Sequence, residues 1–566
     1  MLWTGLSGIS FAQDSLALKY EIRGEVTRGG EKFFSRHEAV EDFVKSLIRD
    51  LRSQGFLMAH IQKNEQHDRS RDVMVVTGDR FKWLHVSGGN VPQWLQEKVG
   101  FDPKKFSKTP ISHQEVLRVF DGILRDRENK GYPFAEVKLD SIRQSEEGIS
   151  ASLYLVNGPL ITFDSLQVQG GTKINPAYLS KYLDIVPGEL FSQKKVDEAM
   201  GRLNRLRAIK ILAAPYLSFQ NSEATVYFAL ADRDVNTIDG IVGFLPNEVE
   251  QNKILVTGQF DLELFNVSGR GRDYKLHWQR LRQYTQNLYL SAEEPMVFGS
   301  GIDVNAIFSL LKEDTTFINR DFNLGFSHQI GPMVDIGFFT SWRSGDLLSV
   351  PALEDETLPD VLDYRYNNYG TKLSLFHLDD AFLPKRGWGA EFELGVGNKK
   401  VLQNTGIQDE LYDDIDLESI QYYSKFSLEN YWNWTRRFLA RSRISGGLIE
   451  GGNLLKNDMF RLGGLNTIRG FNENFFFANR YVYTNFEPRF YFEEQSYFMV
   501  FVDWARLEQK GRMEAKKTDH VFSLGGGLSF EAGNGAFQFV IGLGKSNEQQ
   551  MGANYAKVHF GYTGRF

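Results

Sequence analysis

The chain has 566 residues, a formal net charge of −7 and a pI of about 5.9, with 24% charged and 42% hydrophobic residues. These values exclude a disordered chain and a dedicated nucleic-acid-binding protein, and the lack of any apolar run of about 18 residues excludes an ordinary transmembrane helix. Cysteine is absent, which excludes disulfides, thiolate metal ligands and a cysteine nucleophile.

Residues 1–15 begin with a short apolar stretch that ends in small residues at Ala12. A secretory signal has such a core and cleavage region, although the basic residues that normally precede the core are missing here. We interpret the segment as a signal or leader remnant, either shortened or preceded by residues upstream. The alternative is a frayed N-terminal extension.

A repeated pattern occupies residues 16–235. Gly55 and Gly131 each follow a helical pattern, and after each comes an alternating strand that ends at Gly78 or Gly158, with a further strand directly behind it. A third copy begins near Val196. The repeat predicts three small α+β modules at 16–80, 81–159 and 160–235, each ordered strand, helix, helix, strand, strand. Their strand edges are suited to accept another strand.

The composition changes near residue 235, because residues 236–566 contain 53 of the 77 aromatic residues and 35 of the 53 glycines. Segments of about 9–12 residues there alternate a Phe-rich face with a polar, charged and glycine face, as in strands that cross a bilayer. About sixteen such segments predict a transmembrane antiparallel β-barrel over 236–566. A soluble all-β protein is the alternative. The pattern predicts that Phe522, Phe530, Phe537, Phe539 and Phe560 face lipid and that Ser523, Gln538, Lys557 and Arg565 face the lumen.

One motif suggests a family. The segment Phe460–Phe471 contains Leu-Gly-Gly followed by Ile468-Arg469-Gly470-Phe471. It resembles the conserved inward-folded loop of the BamA/TamA family, which assembles or inserts outer-membrane proteins. The resemblance implies that the modules are POTRA (polypeptide-transport-associated) domains and that the loop around 460–480 folds into the lumen. It extends from about Leu16 to Phe566 and includes three further segments, Asp380–Trp388, Asn485–Phe490 and Phe501–Asp503.

Strand parity supports a partner for the loop arginine. Asp503 and Glu487 fall on the predicted lumenal face of their strands, so a guanidinium at Arg469 would find a bidentate carboxylate in Asp503, with Glu487 second. From the residues alone, this pairing and the alternative, in which Arg469 is one more solvated charge in the lumen, are equally favoured. The family pattern favours the pairing.

The two ends of the predicted barrel form its seam. Gly240 and Gly243 lie in the first strand, and Gly561 and Gly564 lie in the last. Glycine weakens strand packing, so we predict that this pairing opens laterally. The C-terminal recognition signal of the family is represented by His559, Gly561 and Phe566, although Gly564 stands where an aromatic residue is usual.

The sequence therefore predicts three periplasmic POTRA-like modules and a sixteen-stranded barrel in the outer membrane of a Gram-negative bacterium. The predicted function is insertion of other barrel proteins by strand templating at the seam, with no enzyme activity, cofactor, metal or nucleic acid. Expected partners are unfolded outer-membrane clients, the lipid bilayer, and periplasmic or lipoprotein accessory subunits bound through the modules. A two-partner-secretion pore is the first alternative, but it would favour a plug helix and two modules. A passive porin or adhesin would not explain the modules.

Overall fold

The computed structural model describes residues 16–67, 70–246, 254–282, 284–350, 358–413, 415–511 and 516–566. The signal or leader interpretation for residues 1–15 lies outside the described residues. Within these ranges, every helix is too short or too polar to span a bilayer.

The first sheet differs from the predicted order of elements. A strand, β2, takes the place of the expected first helix and pairs antiparallel with β1. Its residues include Gly29 and Gly30, which disfavour helix, and Gly30 lies directly beside the ring of Tyr20 on β1. The sheet order is β2-β1-β4-β3. The elements are β1 (Leu16–Arg23), β2 (Arg28–Phe34), α1 (His37–Ser53), β3 (His60–Gln66) and β4 (Ser70–Val76).

The second and third sheets follow the predicted order of strand, helix, helix, strand, strand. Ser112 caps one helix by accepting a hydrogen bond from the backbone N–H of Glu115, and Asn175 caps another. The second group is β5 (Trp83–Ser87), α2 (Gln93–Lys98), α3 (His113–Glu128), β6 (Glu136–Ser145) and β7 (Gly148–Val156). The third is α4 (Pro176–Tyr182) and α5 (Gln193–Leu203) with the strands β8 (Thr162–Gln169), β9 (Ile209–Gln220) and β10 (Glu223–Asp232). The sheet orders are β5-β7-β6 and β8-β10-β9.

The chain divides into two compact units. The first contains Met1–Asp164, Pro187–Lys194 and Phe219–Ala224, and the second contains Ser165–Val186, Lys195–Ser218 and Thr225–Phe566. Most of the third module therefore belongs to the same unit as the barrel. The module limits 16–80, 81–159 and 160–235 stay predictions.

The barrel is a closed ring of sixteen antiparallel strands, which confirms the predicted fold class. Strand β11 follows the third module directly, so we call the end where β11 begins the module end and the opposite end the loop end. The strands are β11 (Thr237–Pro246), β12 (Ile254–Val267), β13 (Arg272–Arg282), β14 (Thr285–Glu294), β15 (Ile302–Glu313), β16 (Phe317–Ile330), β17 (Val334–Leu347), β18 (Tyr364–Leu378), β19 (Gly387–Val401), β20 (Glu418–Asn433), β21 (Phe438–Gly451), β24 (Arg480–Tyr491), β25 (Tyr497–Gln509), β26 (Lys517–Ala532), β27 (Gly535–Lys545) and β28 (Lys557–Arg565), while β22 (Phe460–Leu462) and β23 (Phe476–Ala478) form a separate pair.

Side chains alternate between the two faces of the barrel wall, as the period of two predicts. On β25, Val500 is 59% exposed to the outside, whereas its neighbour Phe501 is 2% exposed on the lumenal side. The outward set includes Phe522, Phe539 and Phe560, and Phe530 stacks on Phe537. In the lumenal set, Ser523 is buried against Asp503, Gln538 and Lys557 line the lumen, and Arg565 binds Gln495 and Glu531 at the module end.

Candidate functional site: the inward loop, the seam and the module end

The loop between β21 and β24 folds back against the inner wall of the barrel. The hairpin of β22 and β23 pairs Phe460 with Ala478 and Leu462 with Phe476. Ile468 and Phe471 are fully buried in a cluster that includes wall residues of β24, β25 and β26. Beside the loop, a lumenal cavity of about 1180 Å³ is lined by loop and wall residues together. The segment around 460–480 thus occupies part of the lumen.

Arg469 is held by two carboxylates of the wall. Its Nε and Nη2 donate to the two oxygens of Asp503 at 2.9 and 2.6 Å, and its Nη1 donates to Glu487. The backbone N–H of Arg469 also donates to Asp503 at 3.0 Å, and the guanidinium lies 3.8 Å from the ring centre of Phe501. Arg469 is 6% exposed, so it is a buried, bidentate partner and not a solvated lumenal charge.

Further groups stabilise the two carboxylates, and the sequence analysis did not assign them this role. Arg489 donates to Glu487 at 2.7 Å, and the hydroxyl of Ser523 donates to Asp503 at 3.4 Å. Strand pairing brings these residues together, because Asp503 lies opposite Ser523 across β25 and β26. Buried charges are tolerated only when they are paired in this way. Their inward parity was the only sequence signal for them.

Two glycines of β27 form the seat of the loop motif. Gly470 has φ +83°, and it packs against the backbone of Gly542, where a Cβ would lie 3.0 Å from the Gly470 nitrogen. A Cβ on Gly544 would lie 2.5 Å from the ring of Phe471. The side-chain amide of Gln549 donates to the carbonyls of both Gly470 and Gly544 at 3.2 Å. Only glycine at these positions allows so close an approach.

The seam between β11 and β28 is paired over a very short length. Within the described residues, its register joins Thr237 to Arg565 and Ile238 to Gly564, whereas the next pairing, β11 with β12, joins ten residue pairs. The backbone N–H of Phe566 donates to the carbonyl of Asn236 at 3.1 Å just beyond the strands. Among the described residues, no further ladder pair joins β11 to β28.

The predicted seam and signal residues occupy different positions around this join. Gly564 lies against Ile238, and a Cβ on Gly561 would meet no described atom within 4 Å. Gly240 and Gly243 of β11 pair with Phe260 and Thr257 of β12 and not with β28. His559 lines the lumenal cavity. Phe566 is 54% exposed at the module end.

A turn from the opposite side of the barrel reaches the module end of the seam. We call residues 379–386, which join the eighth and ninth barrel strands, the mouth strap. The carboxylate of Asp380 accepts from both terminal nitrogens of Arg233 at 2.9 and 2.8 Å. The ring centre of Phe382 lies 5.4 Å from the guanidinium of Arg233 and 5.3 Å from that of Arg565. The strap therefore contacts both the segment that leads into β11 and the end of β28.

The electrostatics of the strap favour a charged carboxylate. Burial would raise the pKa of Asp380, but the hydrogen bonds from Arg233 and from the backbone N–H groups of Leu383 and Phe382 outweigh it and hold that pKa below its usual value. Asp380 is therefore ionised at neutral pH and forms an ion pair with Arg233.

The third module also contacts the turns at the module end of the barrel. Arg205 pairs with Asp335 and donates to the carbonyl of Pro332 at 3.2 Å. The backbone N–H of Asn175 donates to the carbonyl of Gly269 at 2.8 Å. Burial raises the pKa of Tyr182 to about 12, so its hydroxyl stays protonated and donates to the carbonyl of Arg202. Together with the mouth strap, three turns of the barrel carry contacts to this module.

The described ranges contain no group of three or more His, Cys, Asp or Glu side chains arranged to hold a metal ion. The geometry around Arg469 is that of a structural anchor, because its acids and bases are mutually paired and buried.

These features lie in a domain that is found in other proteins. The Omp85 superfamily domain matches residues 266–566, which is more than half of the chain. The chain belongs to the Omp85 superfamily. The family resemblance inferred from the motif at 468–471 is confirmed, and an Omp85 barrel implies the outer membrane of a Gram-negative bacterium. A comparison with curated proteins finds no match.

Solved structures resemble the fold at low sequence identity. CdiB from Escherichia coli has a TM-score of 0.56 at 12% identity, with 93% of this chain and 98% of that chain covered. CdiB from Acinetobacter baumannii has a TM-score of 0.54 at 12% identity, with 94% and 98% covered. BamA from Haemophilus ducreyi lacking POTRA domains 1–3 has a TM-score of 0.41 at 13% identity, with 85% and 100% covered. The two CdiB likenesses show a shared fold over most of both chains.

Proposed function

We propose that this Omp85 protein inserts other β-barrel proteins into the outer membrane by templating their strands at the seam. The observation that carries the proposal is the short pairing of β11 with β28, two residue pairs within the described residues. A strand edge without a partner offers its N–H and C=O groups to another strand. The incoming strand of a client would extend the edge of β11 in place of β28.

The energetics of the join support opening. Each ladder hydrogen bond contributes about 0.5–1.5 kcal/mol net, so a join of two residue pairs is weak beside its neighbours. Glycine at 561 and 564 removes side-chain packing from the last strand. The anchor at Arg469 keeps the wall from β24 to β27 rigid, so deformation concentrates at the seam.

The modules complete the proposal. We place them in the periplasm, where their edge strands β2, β6 and β9 are suited to pair with extended clients or with accessory subunits. Periplasmic and lipoprotein subunits are the expected accessories. No step of this function needs a cofactor or a catalytic residue, so we propose no enzyme activity.

A disulfide across the seam tests the mechanism. Ile238 and Gly564 are direct cross-strand partners, and a Cβ on Gly564 would lie 3.6 Å from the Ile238 side chain, so Ile238→Cys with Gly564→Cys is suited to form a disulfide. The native chain has no cysteine, so the bond is unambiguous. The matched control is Gly526→Cys with Ile541→Cys, the same residue types paired in the interior of the wall.

Assembly is read from the amounts of folded outer-membrane proteins in cells that depend on the variant. We expect the seam disulfide to abolish assembly and a reductant to restore it, while the control disulfide has no effect. Full assembly by the oxidised seam variant would exclude templating at this join.

The alternative is a two-partner-secretion pore for one exported protein. The described residues contain three sheets before the barrel, whereas such a pore would favour two modules. Depletion of the protein distinguishes the two functions. Loss of many barrel proteins from the outer membrane supports insertion, and loss of one secreted protein with a normal outer-membrane profile supports secretion.

A further inference from the structure

The outer wall of the barrel carries a groove on the side of β12–β16. Its volume is about 440 Å³, and apolar side chains of the outward face provide most of its lining. Its floor is formed by Ala292 and Ala306, which are direct cross-strand partners. The aromatic rings of Tyr274, Phe308 and Phe322 stand around this floor. Small residues between large ones produce a furrow of the kind that an extended hydrocarbon chain fills.

An ion pair lies next to the groove on its module-end side. Arg272 and Glu294 continue the outward faces of β13 and β14, two positions beyond Tyr274 and Ala292. The Arg272 guanidinium donates to Glu294 at 3.0 and 2.8 Å. Both side chains keep substantial exposure, 30% and 44%. A positive and a negative group therefore lie side by side just beyond the module end of the groove.

The adjoining turn presents an unusual apolar side chain. Phe298 lies in the turn between β14 and β15, four residues after Glu294, and its ring is fully exposed. Its φ of +54° is rare for an aromatic residue, so the turn holds this ring outward at a conformational cost. Exposed aromatic rings beside a transmembrane barrel are typical of residues that insert at the membrane interface.

The geometry points to a binding site for a zwitterionic phospholipid with an amine headgroup. One acyl chain lies in the groove over Ala292 and Ala306, the phosphate contacts Arg272, and the ammonium group contacts Glu294. Such a headgroup keeps both protein charges compensated, whereas an anionic headgroup without an amine would face the Glu294 carboxylate. The inference depends on the barrel spanning a membrane and not on the function of the seam.

The test measures lipid bound to the purified full-length protein by native mass spectrometry. The protein is exchanged from detergent into mixed micelles that contain phosphatidylethanolamine or phosphatidylglycerol. Ala306→Leu fills the groove, and Arg272→Gln removes the phosphate contact. The matched controls are Thr484→Leu, which places the same leucine side chain on the outward face of β24, and Arg480→Gln, which breaks the outward ion pair with Glu450.

We expect the wild type to retain phosphatidylethanolamine in preference to phosphatidylglycerol. Arg272→Gln should lower that retention about fivefold, the effect of one basic residue near a lipid phosphate, and Ala306→Leu at least as much. The controls should retain lipid as the wild type does. Folding is checked by the mobility of unheated protein on gels, and Ala292→Leu replaces Ala306→Leu if the latter does not fold.

Three results would overturn the assignment. Unchanged retention in the groove-filling variant removes the acyl site. Equal losses in Arg480→Gln and Arg272→Gln indicate unspecific annular lipid. Equal retention of phosphatidylglycerol excludes the zwitterionic headgroup. A protein that passes the lipid test and fails the seam-disulfide test has the lipid site without the proposed templating, so the two proposals fail separately.

Discussion

Two neighbouring strands at the C-terminal end of the barrel use glycine for opposite purposes. On β27, Gly542 and Gly544 are covered by the inward loop, and any Cβ there would overlap the backbone or ring of Gly470 and Phe471. On β28, a Cβ on Gly561 would meet no described atom within 4 Å. Gly542 and Gly544 allow the loop to pack closely against β27, whereas Gly561 leaves the place of its side chain unpacked.

This contrast explains why a rigid wall and a weak seam exist side by side. Glycine adds flexibility to a strand only where nothing else fills the place of its side chain. The loop supplies that filling at β27 through Phe471 and through hydrogen bonds from Gln549. No described residue fills that place at Gly561, which is held by its backbone pairing with Gln538 of β27.

The largest effect is expected from Arg469→Ala. It leaves Asp503 without its guanidinium partner and Glu487 with Arg489 alone, and removing one member of a buried ion pair costs about 3–5 kcal/mol. The free energy of unfolding, measured by urea titration with the mobility of unheated protein as readout, should fall by that amount. The wall from β24 to β27 would then lose the rigidity that distinguishes it from the seam.

Arg489→Lys serves as the control, because it keeps a positive charge beside Glu487. Its loss should be clearly smaller than that of Arg469→Ala. Equal losses would mean that the loop arginine is one ordinary charge among several in the lumen.

Gly544→Ala and Gly561→Ala compare the two glycines directly. The methyl group at 544 would overlap the Phe471 ring, and overpacking of this kind costs about 1–3 kcal/mol. The methyl group at 561 enters open space and restricts the unfolded chain, so stability should stay level or rise by up to about 1 kcal/mol. The same urea titration measures both variants. A larger loss in Gly561→Ala than in Gly544→Ala would contradict the assignment of the packed and open glycines.

The smallest effect concerns the mouth strap. Asp380→Asn removes the ion pair to Arg233, which is partly exposed and worth at most about 1 kcal/mol, so hydrogen exchange of residues 379–386 should accelerate at most about fivefold at pH 7. The folded pKa of Asp380 lies below its unfolded value of about 3.9, so the contribution is fully present above that value and is lost as pH falls through the folded pKa.

Exchange of the wild-type strap, corrected for intrinsic rates, should therefore approach that of Asp380→Asn at acid pH. The Asn variant should lack this part of the pH dependence. Parallel pH profiles of the two proteins would show that the carboxylate does not hold the strap.

Much of the fold was predictable because it depends on short-range patterns. The alternation of Phe with polar residues gave the barrel and its sixteen strands, since the side-chain period of a strand is two and one buried or lipid face fixes the register. The order of the second and third modules also followed from local patterns. The prediction for the first module was wrong in one element, the first helix, which is the strand β2. The short, glycine-rich sequence of β2 shows neither a helical nor a strand period.

The site was predictable where parity and motif combined. Asp503 and Glu487 lie on the inward faces of neighbouring strands, so their approach to Arg469 followed from alternation once the loop was placed in the lumen. The mouth strap was not predictable, because Arg233 and Asp380 are separated by 147 positions and by half the barrel. Nothing local in either segment indicates that contact. The seat at Gly542 and Gly544 was hidden for another reason, since glycine is frequent throughout the strands.

The mouth strap has a mechanical consequence for the barrel as a ring. It joins the turn after the eighth strand to both sides of the seam, so it acts as a chord across the ring of sixteen strands. Inserting a strand increases the circumference. While the contacts of the strap are in place, they resist widening along that chord. Release of Asp380 from Arg233 and of Phe382 from the two arginines would remove that resistance.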